Sequence, residues 1–312
     1  PSARRTRSRC GDCRWPSHTA PISHASHTSS HPIQVPIAKA EEVEQVFDAI
    51  SYCKGGSVVR MVHAVVGEEC FTRGLRNYMT AFKFGNATTD DLWSAWEAAS
   101  GKPIKEMMGQ WTKQMGFPLL TLKDYTPNPK DGTVALSLEQ SWFLADGSTP
   151  EPDLVDGSEK MWMVPIFAQA SGGDVRPGGR PIGRPPEAGE ADASPEEMSL
   201  MPAAKSYSMS VAGDGQWVKL NAGQHVPLRV KYPDSMIPAL CEAVKAKAVG
   251  AADRIGLLSD QAALTKAGLL DPALYLQVLA AYAAEDDATV WGMVLEQLAG
   301  LHALLVGGGA PE

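Results

Sequence analysis

The fold is decided by one stretch, Phe47-Asp-Ala-Ile-Ser-Tyr-Cys-Lys-Gly-Gly-Ser-Val-Val-Arg-Met61. Its second half opens an apolar stripe of Val58, Met61, Val62, Val65 and Val66, and this spacing predicts a helix. Gly55 and Gly56 lack side chains, so another group can approach the backbone closely there. From the residues alone, Tyr52 is interpreted as a buried tyrosine at a helix start, with its hydroxyl bonded locally.

Helical spacing continues downstream as far as Phe117. Thr88 or Thr89 can cap a helix whose first turn carries acidic residues, and the helix dipole favours negative charge at that position. Gly101 is placed to end this helix, because glycine readily adopts the left-handed conformation of a helix C-terminus. We therefore predict a set of short helices over this part of the chain.

After Pro118 the apolar period changes to two residues, as in Val134, Leu136 and Leu138. This alternation, repeated downstream, predicts a β-sandwich of short strands over residues 119–232. Residues 171–197 are rich in glycine and proline and are predicted to be a flexible insertion. From residue 233 onward the sequence is rich in alanine and leucine with helical spacing, which predicts paired helices in series.

Length and charge restrict the class of protein. A chain of 312 residues exceeds what one hydrophobic core usually serves, so two or three domains are expected. The net charge of −8 argues against nucleic acid or an anionic membrane as a partner, because both require basic surface. The cysteines are odd in number and scattered, which favours a reducing compartment. A cytoplasmic location is expected, or an organellar one if the basic N-terminus is a transit peptide.

The N-terminal tail, residues 1–28, contains the obvious metal candidates. These are Cys10, Cys13, His18, His24 and His27, with His31 just beyond. Their spacing does not match a zinc ribbon or finger, and no hydrophobic residues lie between them to build its core. The tail is therefore predicted to be disordered or non-native. His63 is followed by Ala64, with Gly67 four residues on, so the His-Glu-x-x-His motif is missing there and elsewhere in the chain.

The stretch quoted first resembles the segment that follows the zinc site in gluzincin aminopeptidases, particularly those of the puromycin-sensitive type. The resemblance runs from about residue 29 to the C-terminus, apart from the insertion. Other blocks carry it in the same order, among them Ser30-His-Pro-Ile33, Asn86-Ala-Thr-Thr-Asp-Asp-Leu-Trp93, Trp111-Thr-Lys-Gln-Met-Gly-Phe-Pro118 and Gln216-Trp-Val-Lys-Leu-Asn221.

The resemblance implies an α+β, multi-domain architecture. Residues 29–118 would be the helical C-terminal part of a thermolysin-like catalytic domain, followed by the β-sandwich of residues 119–232. Residues 233–312 would then be the truncated start of a HEAT-like α-solenoid. A missing N-terminal half would carry the rest of the catalytic domain.

The resemblance also implies chemistry. The family removes N-terminal residues from peptides with one zinc ion, and Tyr52 would donate a hydrogen bond to the oxyanion of the transition state. Phe47 is a weaker candidate for lining the substrate cleft, and otherwise belongs to the core. The zinc ligands and the Gly-Ala-Met-Glu-Asn motif have no counterpart in this chain, which is therefore expected to be inactive alone. The alternative is a non-catalytic module that binds peptides or proteins.

Overall fold

The computed structural model describes residues 30–39, 48, 50–150, 158–173 and 198–307. Within these residues the chain forms both helices and strands, so the α+β class is confirmed. The helices are α1 (Gly55–Ala81), α2 (Thr89–Ser100), α3 (Ile104–Lys113), α4 (Ile237–Lys245), α5 (Ala251–Lys266), α6 (Pro272–Ala280) and α7 (Ala288–Gly307). The strands are β1 (Pro118–Asn128), β2 (Thr133–Trp142), β3 (Val164–Ile166), β4 (Ala168–Ala170), β5 (Ser199–Met201), β6 (Ser206–Ala212), β7 (Val218–Leu220) and β8 (Arg229–Lys231).

Helices α2 and α3 pack against α1. The N-terminus of α1 continues a π-helical turn at Ile50–Lys54. Helix α1 approaches α2 closely at Gly74, where an added Cβ would lie 2.4 Å from the Trp96 ring. The Phe71 and Trp96 rings stack at 4.7 Å beside this contact. A side chain at position 74 would therefore separate the two helices.

The predicted cap of α2 is confirmed. The Thr88 side chain accepts a hydrogen bond from the Asp91 N–H, and the Asp91 carboxylate accepts one from the Thr88 N–H in return. This reciprocal arrangement satisfies two amides that the first turn of a helix leaves unpaired. Gly101 ends the helix at φ 70°, the left-handed conformation expected of a C-terminal glycine.

The strands form one mixed four-stranded sheet, in the order β6-β2-β1-β8, and two short ladders, β3-β5 and β4-β7. Strands β1 and β2 are antiparallel and 11 and 10 residues long, respectively, so they are longer than the short strands predicted from sequence. Strand β8 runs parallel to β1. The alternation of Val134, Leu136 and Leu138 is confirmed, since all three are buried. The sandwich arrangement stays a prediction.

Helices α4 to α7 follow the last strand. Helices α6 and α7 pack on α5, which is buried along most of its length, and α4 packs on α6. Helix α5 also contacts β8 and the 3₁₀ turn Ala222–Gln224. The start of a solenoid therefore stays a prediction for this part of the chain. None of the helices in the described ranges is both long and apolar enough to cross a membrane.

Buried charges lie at the seam between the strands and α5. Lys219 Nζ is 3.6 Å from Asp253 Oδ1, and Arg229 Nη1 is 3.1 Å from Asp260 Oδ1. All four side chains are at most 6% exposed. Asp260 also accepts a hydrogen bond from the Val230 N–H, at 3.3 Å. Because an unpaired buried charge is strongly destabilising, these contacts fix α5 against the last two strands.

Gly67 interrupts α1 with φ 77° and ψ 161°, a conformation essentially restricted to glycine. We expect Gly67→Ala to lower the free energy of unfolding by about 1–3 kcal/mol, because alanine is strained there. Chemical denaturation monitored by circular dichroism measures this.

Gly109→Ala in α3 is the matched control, since the added Cβ meets nothing within 4 Å. That variant should keep or slightly raise stability, as alanine is the better helix former. Equal destabilisation by the two substitutions would contradict the strain at Gly67.

Candidate functional site

Tyr52 lies in the π-helical turn Ile50–Lys54, immediately before α1. Its side chain is 59% exposed, so the interpretation of Tyr52 as a buried residue is wrong. Ile50 and Lys54 on either side of it are buried, at 8% and 2% exposed. Four residues make roughly one turn of a helix, so these two point inward while Tyr52, midway between them, points outward. A π-helical turn is a rare structure that is frequently found at functional sites.

Asp48 caps the N-terminal end of the turn. Its Oδ1 accepts a hydrogen bond from the Ser51 N–H at 2.8 Å, and its backbone carbonyl accepts one from the Tyr52 N–H at 3.2 Å. These bonds satisfy amides that the start of a helix would otherwise leave unpaired. Asp48 therefore orients the backbone of the residue that carries the candidate hydroxyl.

His31 contacts Asp48 from a different segment. Its Nε2 lies 2.5 Å from Asp48 Oδ2, and its Nδ1 lies 2.7 Å from the Pro32 carbonyl. A neutral imidazole carries one N–H and can donate only once. Since both ring nitrogens face acceptors, the doubly protonated imidazolium suits this position best.

The pKa values of the pair follow from these contacts. Burial lowers the pKa of His31, but the hydrogen bonds to the Pro32 carbonyl and to Asp48 raise it above its ordinary value. Burial raises the pKa of Asp48, but the bonds from Ser51 and His31 lower it below its ordinary value. Each side chain thus favours the charged form of the other.

Lys54 anchors the other end of the turn. Its Nζ donates a hydrogen bond to the Gln114 carbonyl at 2.9 Å, and the Gln114 amide donates to the Met161 carbonyl at 3.0 Å. Burial lowers the pKa of Lys54 to about 8, because a charged ammonium is disfavoured away from water. The turn is thereby attached to the end of α3 and to the segment that leads into β3.

The metal candidates can be placed in part. Over the described ranges, no group of three or more His, Cys, Asp or Glu side chains could hold a metal ion. His31 instead bonds to Asp48, and His63 lies 2.8 Å from Glu68, against the edge of Phe71. The other candidates, Cys10, Cys13, His18, His24 and His27, lie outside the described residues, as does Phe47. The described residues therefore do not provide the ligand set that zinc requires.

Three further residues belong to this site, His31, Asp48 and Lys54, of which the sequence patterns singled out only His31, as a metal candidate. Two of them stand in the quoted stretch, and His31 stands in the Ser30-His-Pro-Ile33 block. Their position in blocks that carry the family resemblance was the available indication that they belong to the site. The contact between His31 and Asp48 joins residues that are 17 positions apart, and the periodicity of the sequence does not predict it.

Comparison with known proteins finds two families. Residues 12–111 match the Peptidase family M1 domain, and residues 217–311 match the ERAP1-like C-terminal domain. The first match begins inside the tail 1–28 and includes Tyr52 and its surroundings. The second begins just before β7 and covers the four last helices.

Similar proteins include the puromycin-sensitive aminopeptidase of Caenorhabditis elegans, with 34% identity over 276 residues, 88% of this chain and 26% of that protein. Aminopeptidase M1 of Arabidopsis thaliana is 37% identical over 84% of this chain and 27% of its own length. The alanine/arginine aminopeptidase of Saccharomyces cerevisiae is 31% identical over 89% of this chain and 28% of its own length. The chain thus spans about a quarter of the length of the relatives that it matches.

The depressed pKa of Lys54 makes stability depend on pH. The unfolded chain keeps the ordinary pKa of 10.5, whereas the folded value is about 8, so the unfolded state binds more protons between these values. Stability therefore rises with pH across this window. We expect wild type to gain roughly 2 kcal/mol relative to Lys54→Met between pH 7 and pH 10, measured by urea denaturation at each pH.

Lys113→Met is the control, because Lys113 lies at the end of α3 but is exposed. This variant should follow the wild-type pH dependence. Parallel curves for wild type and Lys54→Met would show that the Lys54 ammonium keeps its ordinary pKa in the folded chain.

Proposed function

Because residues 12–111 belong to the Peptidase family M1 domain and residues 217–311 to the ERAP1-like C-terminal domain, we propose that the chain is the C-terminal part of a zinc aminopeptidase. The whole protein would remove N-terminal residues from peptides. Three relatives of more than 30% identity, all described as aminopeptidases, support this proposal.

The observation that carries it is the exposure of Tyr52 on a turn fixed at both ends. A phenolic hydroxyl is a neutral donor, and it can bond to the negative charge that develops on a carbonyl oxygen during peptide hydrolysis. Such a bond strengthens as the charge develops, so it favours the transition state over the bound substrate. Tyr52 would act in this way, and Phe47 remains a weaker candidate for the substrate cleft.

The zinc ion of the family would be held by ligands outside the described residues. The missing N-terminal half is consistent with the quarter-length coverage of the relatives. The chain by itself would therefore neither bind zinc stoichiometrically nor turn over a peptide. A cytoplasmic location stays a prediction from the cysteine content.

A second candidate function is a non-catalytic module that binds proteins. Helix α7 favours it, because Leu295, Leu298, Leu304 and Val306 are between 44% and 69% exposed. Exposed apolar side chains that cluster on one element are typical of interaction surfaces. Reconstitution of activity distinguishes the two proposals.

The test joins this chain to the part that it lacks. Residues 30–312 replace the homologous segment of the Caenorhabditis elegans relative, and turnover of an aminoacyl-arylamide and zinc content are measured. We expect an active chimera, in which Tyr52→Phe lowers kcat by about 100- to 1000-fold, the usual cost of one oxyanion donor.

Tyr78→Phe is the control, because Tyr78 lies in α1, the helix that follows the Tyr52 turn, and packs against Phe82 at 5.4 Å. That variant should retain the activity of the chimera. Full activity of the Tyr52→Phe chimera would exclude the oxyanion role. Stoichiometric zinc with turnover in the isolated chain would contradict its proposed inactivity.

A further inference from the structure

We propose that His31 and Asp48 are positioning residues, whose imidazolium–carboxylate pair holds the π-helical turn so that Tyr52 faces outward. This inference rests on the proposed function, in which the Tyr52 hydroxyl is the acting group. The two residues act through the turn and would not contact substrate themselves.

The contacts from His31 to the turn before Tyr52 are continuous. His31 Nε2 meets one oxygen of the Asp48 carboxylate, and the other oxygen accepts the Ser51 N–H. The next amide, that of Tyr52, donates to the backbone carbonyl of Asp48. Rotation of the Asp48 side chain would therefore break the bond to the Ser51 N–H, immediately before the tyrosine.

The segment that carries His31 is anchored independently of the turn. The segment that follows it is attached to α3, where the Gln34 N–H donates to the Thr112 carbonyl at 2.8 Å. Ile33 packs against the hydrophobic core and lies beside Gly55, where an added Cβ would be 4.0 Å from the Ile33 Cγ2. The pair thus joins the turn to a segment that other contacts already hold.

The protonation state of His31 decides how many hydrogen bonds its ring can donate. Three groups act on its imidazole: the Pro32 carbonyl and the Asp48 carboxylate favour the cation, and the Lys54 ammonium opposes it. Loss of the second proton removes one of the two ring donors, because a neutral imidazole has one N–H. The hold on the turn should therefore weaken as the pH rises through the pKa of His31.

The pair contributes more to local geometry than to global stability. Its side chains are 32% and 34% exposed, and partly exposed ion pairs contribute little to the free energy of folding. A positioning role therefore predicts a change at Tyr52 without a comparable fall in Tm. A merely structural role predicts the reverse.

The experiment follows Tyr52 directly in the full 312-residue chain. The tyrosines are replaced biosynthetically by 3-fluorotyrosine, and the Tyr52 ¹⁹F signal is assigned with Tyr52→Phe. We expect this signal to shift with pH, with a midpoint that equals that of the His31 imidazole and lies above 6.5, its ordinary pKa. In Asp48→Asn the His31 midpoint should fall, because the neighbouring carboxylate charge that favours the imidazolium is lost.

In His31→Gln the pH response of the Tyr52 signal should vanish, while the other tyrosine signals and Tm stay close to wild type. The control is His63→Gln, which removes a second histidine–carboxylate contact, that with Glu68, and should leave the Tyr52 signal unchanged. A separate step near pH 8 would belong to Lys54 and would be absent from Lys54→Met.

A Tyr52 signal that is unchanged by His31→Gln and flat across the titration of the His31 imidazole would overturn the proposal. If His31→Gln lowers Tm strongly, Asp48→Asn is used instead, since asparagine keeps an acceptor for Ser51. In that variant the midpoint of the Tyr52 signal should fall with that of His31, and an unchanged Tyr52 midpoint would overturn the proposal. The readout requires neither zinc nor turnover. An inactive chimera with a responsive Tyr52 signal would therefore refute the proposed function alone, and an active chimera with an unresponsive signal would refute only the positioning role.

Discussion

The structure depends on the pairing of charges that are buried between the strands and α5. Removing charged groups from water costs several kcal/mol each, and only close partners with further hydrogen bonds offset that cost. Asp253 and Asp260 of α5 meet Lys219 and Arg229 of the last strands at 3.6 and 3.1 Å. Displacing α5 would leave four charges unpaired. The mixed sheet and the last four helices are therefore held in one arrangement.

The same seam extends to the helix that begins at the candidate site. Arg60, two turns after Tyr52 in sequence, donates to the Gly223 carbonyl at 3.2 Å. The Gly223 N–H in turn donates to Asp253 at 2.8 Å. Burial lowers the pKa of Arg60, because a charged guanidinium is disfavoured away from water. Helix α1 is thus connected through polar contacts to both later parts of the chain.

At the site itself, the exposed Tyr52 lies between two anchored ends of the π-helical turn. Lys54 attaches one end to α3, and Asp48 with His31 holds the other. Catalytic groups must be held close to their productive geometry by surrounding contacts, and the turn around Tyr52 has such contacts. Residues 12–111, which match the Peptidase family M1 domain, include this turn. The last four helices lie in the segment that matches the ERAP1-like C-terminal domain.

The local features could be predicted from the sequence: the helical stripe after Val58, the cap at Thr88 and the alternation in β2. These follow from neighbouring residues, because periodicity and capping act within a few positions. The sequence also selected Tyr52, through a resemblance carried by its local block. Only the tertiary structure decided that Tyr52 is exposed, that Lys219 is buried and that His31 reaches Asp48. Exposure and pairing depend on which distant segments pack together, and no local pattern in the sequence contains that information.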